Sequence, residues 1–329
     1  MKMAILAALF LAVFTTLSLA NDEADRFVRM GWTKTDFSKV TVPLSEVMSG
    51  GPPRDGIPSI DNPQFEPAGT DKTLSARDPV ISMEINGDAR AYPLRILIWH
   101  EIVNDTVGGV PVTVTYCPLC NAAIVFDRVV DGEMKDFGTT GLLRNSDLIM
   151  YDRQSESWWQ QFTGQAIAGS HVGSSLKFLP ARLESWAEFT TRFPDGKVLV
   201  PNNPDLRNYG RNPYVGYDSA AVPFLYRGKM PEGISPMARV VVYRLDGKVT
   251  AIALSMLAKS RELMHGDVTI KWRSGQASAL DHGEIAKGRD VGNITVQKKN
   301  SNGGYEDIPH DVTFAFVVEA FEPGTKIQK

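Results

Sequence analysis

The stretch VISMEINGDARAYPL, at Val80–Leu94, carries the clearest structural signals in the chain. Its first six residues are rich in apolar and β-branched side chains and favour a strand. Asn86-Gly87 is the strongest short signal for a hairpin turn, and Ala89–Tyr92 predicts the returning strand. The stretch therefore predicts a β-hairpin.

A helix and another strand are expected directly after this hairpin. Pro93 suits the first turn of a helix, and apolar residues continue at helical spacing as far as Glu101. Gly108-Gly109 breaks the pattern, and Val110–Tyr116 is rich in the β-branched residues that favour strands. This strand leads directly into the pair of cysteines discussed below.

A similar stretch, VVVYRLDGKVTAIAL, recurs at Val240–Leu254. The offset is constant, because 247 minus 87 and 254 minus 94 both equal 160. We interpret this as a repeat that predicts two related halves, although any hairpin followed by a helix gives a similar pattern. The second copy has Lys271–Gln276 where the first copy has its cysteines, so any chemistry is expected in the first half.

Together the patterns predict an α+β protein that is predominantly β, with a strand-rich globular body and a few short helices. Turn residues dominate the region before Val80, which predicts an extended arm with one short helix near Leu44–Met48. The expected divisions are an amino-terminal arm at 21–79, a domain with the cysteine pair at 80–230, and a smaller repeat-like carboxyl-terminal half at 231–329.

The amino terminus has the features of a signal peptide over residues 1–20. Lys2 precedes an apolar run over Ala4–Leu17, and Ser18-Leu19-Ala20 offers the small residues that signal peptidase recognises. An apolar run of about 14 residues is short for a bilayer, which requires about 20; the alternative is an uncleaved membrane anchor. We expect cleavage, export to the periplasm or the extracellular space, and no stable membrane span in the mature chain.

Charge and cysteine content exclude two classes of protein. The formal net charge is −3, with both signs mixed along the chain and no basic stripe, which argues against a nucleic-acid partner. Two cysteines are too few for a disulfide scaffold in a chain of 329 residues, so the fold must depend on a hydrophobic core. The sequence indicates no particular small-molecule or protein partner.

Cys117 and Cys120 are the only cysteines of the chain and form one C-x-x-C motif. This spacing brings two sulfurs within reach of one metal ion, and thiolates are good ligands for zinc or cuprous copper. Further ligands are needed, and His100 is the nearest candidate in sequence, with Glu101 as a partner outside the ligand set. The leading hypothesis is a copper or zinc site that serves a metal-dependent redox or metal-handling role.

Two other interpretations of the cysteine pair remain open. The pair could perform thiol–disulfide exchange, but in thioredoxin-like enzymes the first cysteine lies at a helix amino terminus, whereas Ala122–Phe126 is strand-like. The pair could also form a structural disulfide in a binding module without enzymatic activity. Whether the protein is an enzyme is left open by its sequence.

A few more residues are candidates for a site or a cleft. Met150 would suit copper(I) but lies in an expected core strand, and His171 and His265 are weaker candidates as ligands. Asp152 lies in a polar segment that could contribute a carboxylate. In the adjacent strand, one of Trp158 and Trp159 is expected to enter the core and the other to line a cleft.

Several of these segments together resemble domain-of-unknown-function family 3179, a group of mostly exported bacterial and archaeal proteins. The resemblance is clearest over about 79–217 and implies no particular activity, although it supports the choice of the same residues. The segments that carry it are Tyr92–Arg95, Trp99–Asp105, Val114–Asn121, Met150–Arg153 and Ser157–Gln160.

Overall fold

The computed structural model describes residues 22–329. The predicted signal peptide lies outside the described residues, and its cleavage stays a prediction. Within the described part of the chain, no helix has both the length and the hydropathy needed to cross a membrane. The helices are short: α1 (residues 22–29), α2 (Leu94–His100), α3 (Trp186–Arg192), α4 (Leu254–Ser260) and α5 (Ala315–Phe321).

Strands outnumber helices, which confirms the predicted strand-rich α+β class. Those of the amino-terminal and middle parts are β1 (Val47–Ser49), β2 (Gln64–Pro67), β3 (Pro79–Ile85), β4 (Asp88–Pro93), β5 (Ile102–Val107), β6 (Val110–Cys117), β7 (Ala122–Asp127), β8 (Val129–Val130), β9 (Glu133–Met134), β10 (Phe137–Arg144), β11 (Asp147–Asp152), β12 (Trp158–Gln160), β13 (Ala166–Ala168), β14 (Lys177–Leu179), β15 (Arg182–Ser185) and β16 (Lys197–Val200). Those of the carboxyl-terminal part are β17 (Arg239–Leu245), β18 (Lys248–Ala253), β19 (Glu262–His265), β20 (Val268–Arg273), β21 (Asn293–Lys299), β22 (Tyr305–Asp307), β23 (His310–Phe314) and β24 (Ile327–Gln328).

The hairpin predicted at Asn86-Gly87 is confirmed. Strands β3 and β4 pair antiparallel, and Ile85 faces Asp88 across the turn. Asn86 and Gly87 have φ angles of 51° and 80°, both in the left-handed region that a two-residue turn of this kind requires. Helix α2 follows directly, with Pro93 as its N-cap residue.

The order of elements in the first half recurs in the second half. The series β3-β4-α2-β5-β6-β7, then β15-α3-β16, corresponds to β17-β18-α4-β19-β20-β21, then β23-α5-β24. In both halves the last strand of the series runs parallel to the returning strand of the hairpin, β16 beside β4 and β24 beside β18. Even the helix ends agree, since Glu101 and Arg261 have φ angles of 59° and 67°. The repeat at an offset of 160 residues is therefore a repeat of topology.

The halves share one hydrophobic core. Ile81 and Tyr116 from the first half belong to the same buried cluster as Val241 and Phe314 from the second half. The domain boundaries at residues 80 and 231 remain predictions, because the hydrophobic core is continuous between the halves and does not separate them at either residue.

The first half has additional strands between its two series. Strands β1, β10, β11, β12 and β13 form a sheet in that order, and β1 comes from the region predicted to be an arm. On this sheet Trp158 packs edge-on against Phe27 and Trp32, with ring centroids 4.9 and 5.3 Å apart. The region before β3 is thus attached to the body by strand pairing and by aromatic packing.

We expect Gly141→Ala to lower the free energy of unfolding by about 2–6 kcal/mol, because the strain of a positive φ angle and the overpacking by a Cβ atom each contribute about 1–3 kcal/mol. Gly141 lies at an irregularity of β10 with a φ angle of 72°, and a Cβ atom there would lie 2.0 Å from the carbonyl oxygen of Pro52. Chemical denaturation measures the change. Gly132→Ala is the control, because Gly132 also has a positive φ angle but open space around a Cβ; equal losses in the two variants would contradict the steric argument.

Candidate metal centre

The C-x-x-C motif forms the turn of the hairpin between β6 and β7. Cys117 pairs with Ala122 across the two strands. The amide of Cys120 donates to the carbonyl of Cys117 at 3.2 Å, and Asn121 has a φ angle of 53°. Asparagine tolerates this left-handed conformation, which closes the turn. The turn places both thiols on the inside of the protein, where their exposed fractions are 2% and 0%.

Asp147 joins the two cysteines from another hairpin. It is the first residue of β11, after a turn in which Asn145 and Ser146 both have positive φ angles. The two sulfurs and a carboxylate oxygen of Asp147 all lie within 4.8 Å of one another, and all three side chains are buried. Both thiols are free. Two soft donors and one hard donor thus converge inside the protein.

Only one oxygen of the Asp147 carboxylate accepts hydrogen bonds from amide groups in the described part of the protein. Its Oδ2 accepts hydrogen bonds from the side-chain amide of Gln160 at 2.7 Å and from the backbone amide of Phe162 at 2.9 Å. Its Oδ1 is buried without a hydrogen-bond partner. Burial raises the pKa of Asp147 to about 6 and also raises the pKa of both thiols. A bound cation would compensate this cost, because it replaces the protons on the three groups.

Strand β23 of the second half holds the cysteine turn from behind. The carbonyl of Cys120 accepts from the Thr313 hydroxyl at 2.8 Å and from the Phe314 amide at 3.3 Å. The side-chain amide of Asn121 donates to the carbonyl of Val312 at 2.6 Å. The second half contributes no thiol, but it fixes the backbone from which the thiols project.

A segment between β16 and β17 covers the turn on another side. The hydroxyl of Tyr217 donates to the carbonyl of Leu119 at 3.0 Å and accepts from the amide of Phe224 at 3.3 Å. The carbonyl of Phe224 in turn accepts from the hydroxyl of Ser146, the neighbour of Asp147. The segment therefore touches both hairpins that supply the cluster.

Next to Tyr217, Asp218 anchors this covering segment to the second half. Its Oδ2 accepts from Arg239 at 3.1 Å and from the hydroxyl of Ser278, and its Oδ1 accepts from Arg289 at 2.9 Å. The Asp218 side chain is fully buried and that of Arg239 is 8% exposed. A buried charge network thus determines where Tyr217 lies.

His100, the histidine predicted as a ligand, lies at the end of α2 and is not a member of the Cys117–Cys120–Asp147 group. Its Nδ1 lies 2.6 Å from the carbonyl oxygen of Pro58, and its Nε2 lies 2.7 Å from the hydroxyl of Tyr209. A carbonyl only accepts, so Nδ1 carries the proton and Nε2 accepts from Tyr209. Burial lowers the pKa of His100 and favours this neutral form.

Glu101, the residue after His100, is coupled electrostatically to Asp147, although it is not a member of the cluster. It is buried, and its carboxylate makes no hydrogen bond within the described residues. Burial raises its pKa to about 8, and the charge of Asp147 adds to the shift. The charge of Glu101 also contributes to the raised pKa of Cys117. Glu101 is therefore a buried carboxyl group close enough to respond to a charge at the cluster.

The other predicted residues lie further along β11 and β12. Met150 is buried in the core and pairs with Trp159 across the two strands. The indole Nε1 of Trp159 donates to Asp152 Oδ2 at 3.0 Å, and both side chains are fully buried. The structure thus brings Asp152 and Trp159 together, at the opposite end of β11 from Asp147.

The two weaker histidine candidates lie apart from the cluster. His171 lies 3.4 Å from Asp131, and His265 Nδ1 lies 3.0 Å from the hydroxyl of Tyr243. Sequence reasoning missed Asp147. Its only local signal is an acidic residue directly before the apolar run Leu148–Met150 of β11.

A comparison with known families gives the chain its relatives. The sequence model of the family described as "protein of unknown function (DUF3179)" matches residues 54–325, so the chain belongs to this family. The matched region includes both halves and every residue of the cluster. No curated protein and no solved structure matched the chain.

Proposed function

We propose that this protein is an exported metal-binding protein in which Cys117, Cys120 and Asp147 hold a zinc ion. The observation that carries the proposal is the convergence of two buried thiols and one buried carboxylate oxygen within 4.8 Å. Tetrahedral zinc with Zn–S bonds of about 2.3 Å needs sulfurs about 3.8 Å apart. The group reaches such spacing by small side-chain movements.

The donor set favours zinc over copper. Copper(I) prefers soft thiolate and thioether ligands, whereas zinc accepts thiolate sulfur and carboxylate oxygen together. Met150, the thioether that would have suited copper(I), is buried in the core, where it pairs with Trp159. In this proposal Asp147 is the third ligand, the role that the sequence had suggested for His100.

Three protein ligands leave one position of a tetrahedral zinc ion for another ligand. Structural zinc sites usually fill all four positions with protein side chains, and catalytic sites keep one for water or substrate. Glu101, a buried carboxyl group with no hydrogen-bond partner in the described chain, is the residue we expect to interact with that position. We therefore favour a centre that binds an exogenous ligand over a purely structural one.

Thiol–disulfide exchange is a weaker alternative. Its support is that two free thiols lie together on one turn. However, burial raises the pKa of both thiols, and the reactive species in exchange is the thiolate. The turn is also flanked by strands and not by a helix amino terminus. The position of the turn between two strands therefore favours a metal ligand pair over a dithiol oxidant, and a bound cation would itself displace the thiol protons.

Metal analysis of the purified protein tests the proposal. We expect stoichiometric zinc in the wild-type protein, loss of zinc in Cys117→Ser and Asp147→Asn, and retention in His100→Ala, because the His100 ring nitrogens are both engaged elsewhere. His282→Ala is the control, since His282 is outside the group and its Nδ1 contacts only Glu284.

Each alternative has its own pattern of results. Zinc that is lost in His100→Ala but kept in Asp147→Asn would restore the histidine as the third ligand. Zinc content equal in all variants, or absent from the wild-type protein, would overturn the proposal. If the protein contained copper and not zinc, the proposed ligands would stand and the assigned metal would be wrong.

A further inference from the structure

A cavity of about 460 Å³ lies beside α2, outside the metal centre. Its walls come from β2, the turn before β3, the start of α2 and the segment after β16. Pockets for small molecules commonly have 300–1,000 Å³, so the size suits a ligand of several heavy atoms. The polar residues that line it are Glu66, Asp71, Thr73, Arg95, Arg207, Asn208 and Tyr209.

Two arginines in this cavity have no carboxylate partner among the described residues. Arg95 donates to the carbonyls of Thr73 at 2.7 Å and Tyr209 at 3.4 Å. Arg207 donates only to the carbonyl of its neighbour Leu206, at 3.3 Å. A guanidinium group has five N–H donors, so both side chains keep several that can serve a ligand. Their planar fork matches carboxylate and phosphate oxygens.

The cavity also contains two acidic residues, which are placed differently. Asp71 Oδ1 accepts from the amides of Thr73 and Leu74, both at 2.8 Å, and Oδ2 accepts from the Thr73 hydroxyl at 3.0 Å. Its carboxylate is therefore occupied in shaping the turn. Glu66 is exposed on β2, where it can only repel an anion.

The cavity is linked to His100 through one residue, Tyr209. The carbonyl of Tyr209 accepts from Arg95, while its hydroxyl donates to His100 Nε2. The two rings stack with centroids 5.8 Å apart and an interplanar angle of 15°. His100 is followed directly by Glu101, whose pKa is raised by burial and by the charge of Asp147. Only Tyr209 therefore lies between His100 and a ligand bound by Arg95.

We propose that this cavity binds a small molecule through a carboxylate or phosphate group placed between Arg95 and Arg207. The inference goes beyond the proposed function and does not depend on the metal, because none of the residues that carry it belongs to the cysteine cluster. Because Tyr209 contacts both Arg95 and His100, we expect the surroundings of the His100 ring to change when the cavity is occupied.

Titration calorimetry with inorganic phosphate and with succinate, at low ionic strength, tests the proposal on the full chain. We expect Arg207→Gln and Arg95→Gln each to weaken binding about tenfold or more, since each substitution removes charge-assisted hydrogen bonds to the anion. Glu66→Gln should strengthen binding. Arg227→Gln is the matched control, because Arg227 is exposed in the same segment but outside the cavity.

Arg207→Gln is the decisive variant, because the Arg207 side chain holds no other element in place and its loss should not affect folding. A stronger response to phosphate or to succinate identifies the preferred group. The His100 ring resonances should shift on addition of the anion in the wild-type protein and not in Arg207→Gln. Absent binding of both probes, or an equal loss in Arg227→Gln, would overturn the proposal.

Discussion

Zinc at a free concentration 1,000 times its Kd is expected to raise the free energy of unfolding of the wild-type protein by about 4.1 kcal/mol, and to have little effect on Asp147→Asn. The reason is that an ion bound only by the folded state stabilises that state by mass action. The cluster is assembled from two hairpins, so the unfolded chain does not present it. Chemical denaturation with added zinc, and with a chelator, measures both values.

With zinc bound, Asp147→Asn should be less stable than the wild-type protein. Without metal, it should be the more stable of the two once Asp147 is ionised. Asn keeps a carbonyl oxygen for the donors Gln160 and Phe162, and it removes the buried carboxyl group whose Oδ1 has no partner. Burial raises the folded-state pKa of Asp147 from 3.8 to about 6. Its contribution to stability is therefore present below pH 3.8 and is lost as the pH rises through 6. Metal-free Asp147→Asn should match the wild-type protein at pH 4 and exceed it at pH 8.

Asp311→Asn provides the matched control for the response to zinc. Asp311 is also a buried carboxyl group with one oxygen that lacks a partner, but it is not a member of the cluster. This variant should therefore keep the full stabilisation by zinc. If zinc stabilised Asp147→Asn as much as the wild-type protein, the ion would bind elsewhere.

Asp218→Asn is expected to lower the free energy of unfolding by about 3–5 kcal/mol. The substitution leaves Arg239, whose side chain is 8% exposed, without its negative partner inside the protein. It also weakens the attachment of Tyr217, so we expect Cys117 and Cys120 to react faster with a thiol reagent. Denaturation and alkylation kinetics measure the two effects.

Glu284→Gln is the control for this prediction. Glu284 pairs with Arg211 at 3.4 Å, but both side chains are largely exposed, and such surface pairs contribute about 0–1 kcal/mol. A loss of stability in Asp218→Asn with unchanged alkylation would show that Asp218 stabilises the second half without holding the cover. A change no larger than that of Glu284→Gln would contradict the role of the buried network.

The local elements of the fold could be predicted because local patterns determine them. Asn86-Gly87 supplies two residues that tolerate positive φ angles, and the apolar residues around the turn alternate as a hairpin requires. In the same way, the β-branched residues of Val110–Tyr116 determine the strand before Cys117. The repeat could be recognised because it preserves this hairpin and the helix after it.

The composition of the cluster could be predicted only in part. The spacing of Cys117 and Cys120 brings the sulfurs together whatever the rest of the fold is. Asp147 reaches them only because the β10–β11 hairpin packs against the β6–β7 hairpin, and no sequence spacing encodes that contact. His100 was expected at the cluster because it ends the helix before the strand; its ring instead bonds to Pro58 and Tyr209, two distant residues.

The support that β23 gives to the cysteine turn sets an order for the maturation of the protein. Thr313, which holds the carbonyl of Cys120, is synthesised 193 residues after it. During synthesis the thiols emerge long before the strand that fixes them, so a nascent chain has a mobile dithiol and not a finished binding site. We therefore expect any metal to bind only after the second half is complete, and a shortened chain that ends before β23 to retain Cys117, Cys120 and Asp147 but to lack the contacts that fix the cysteine turn.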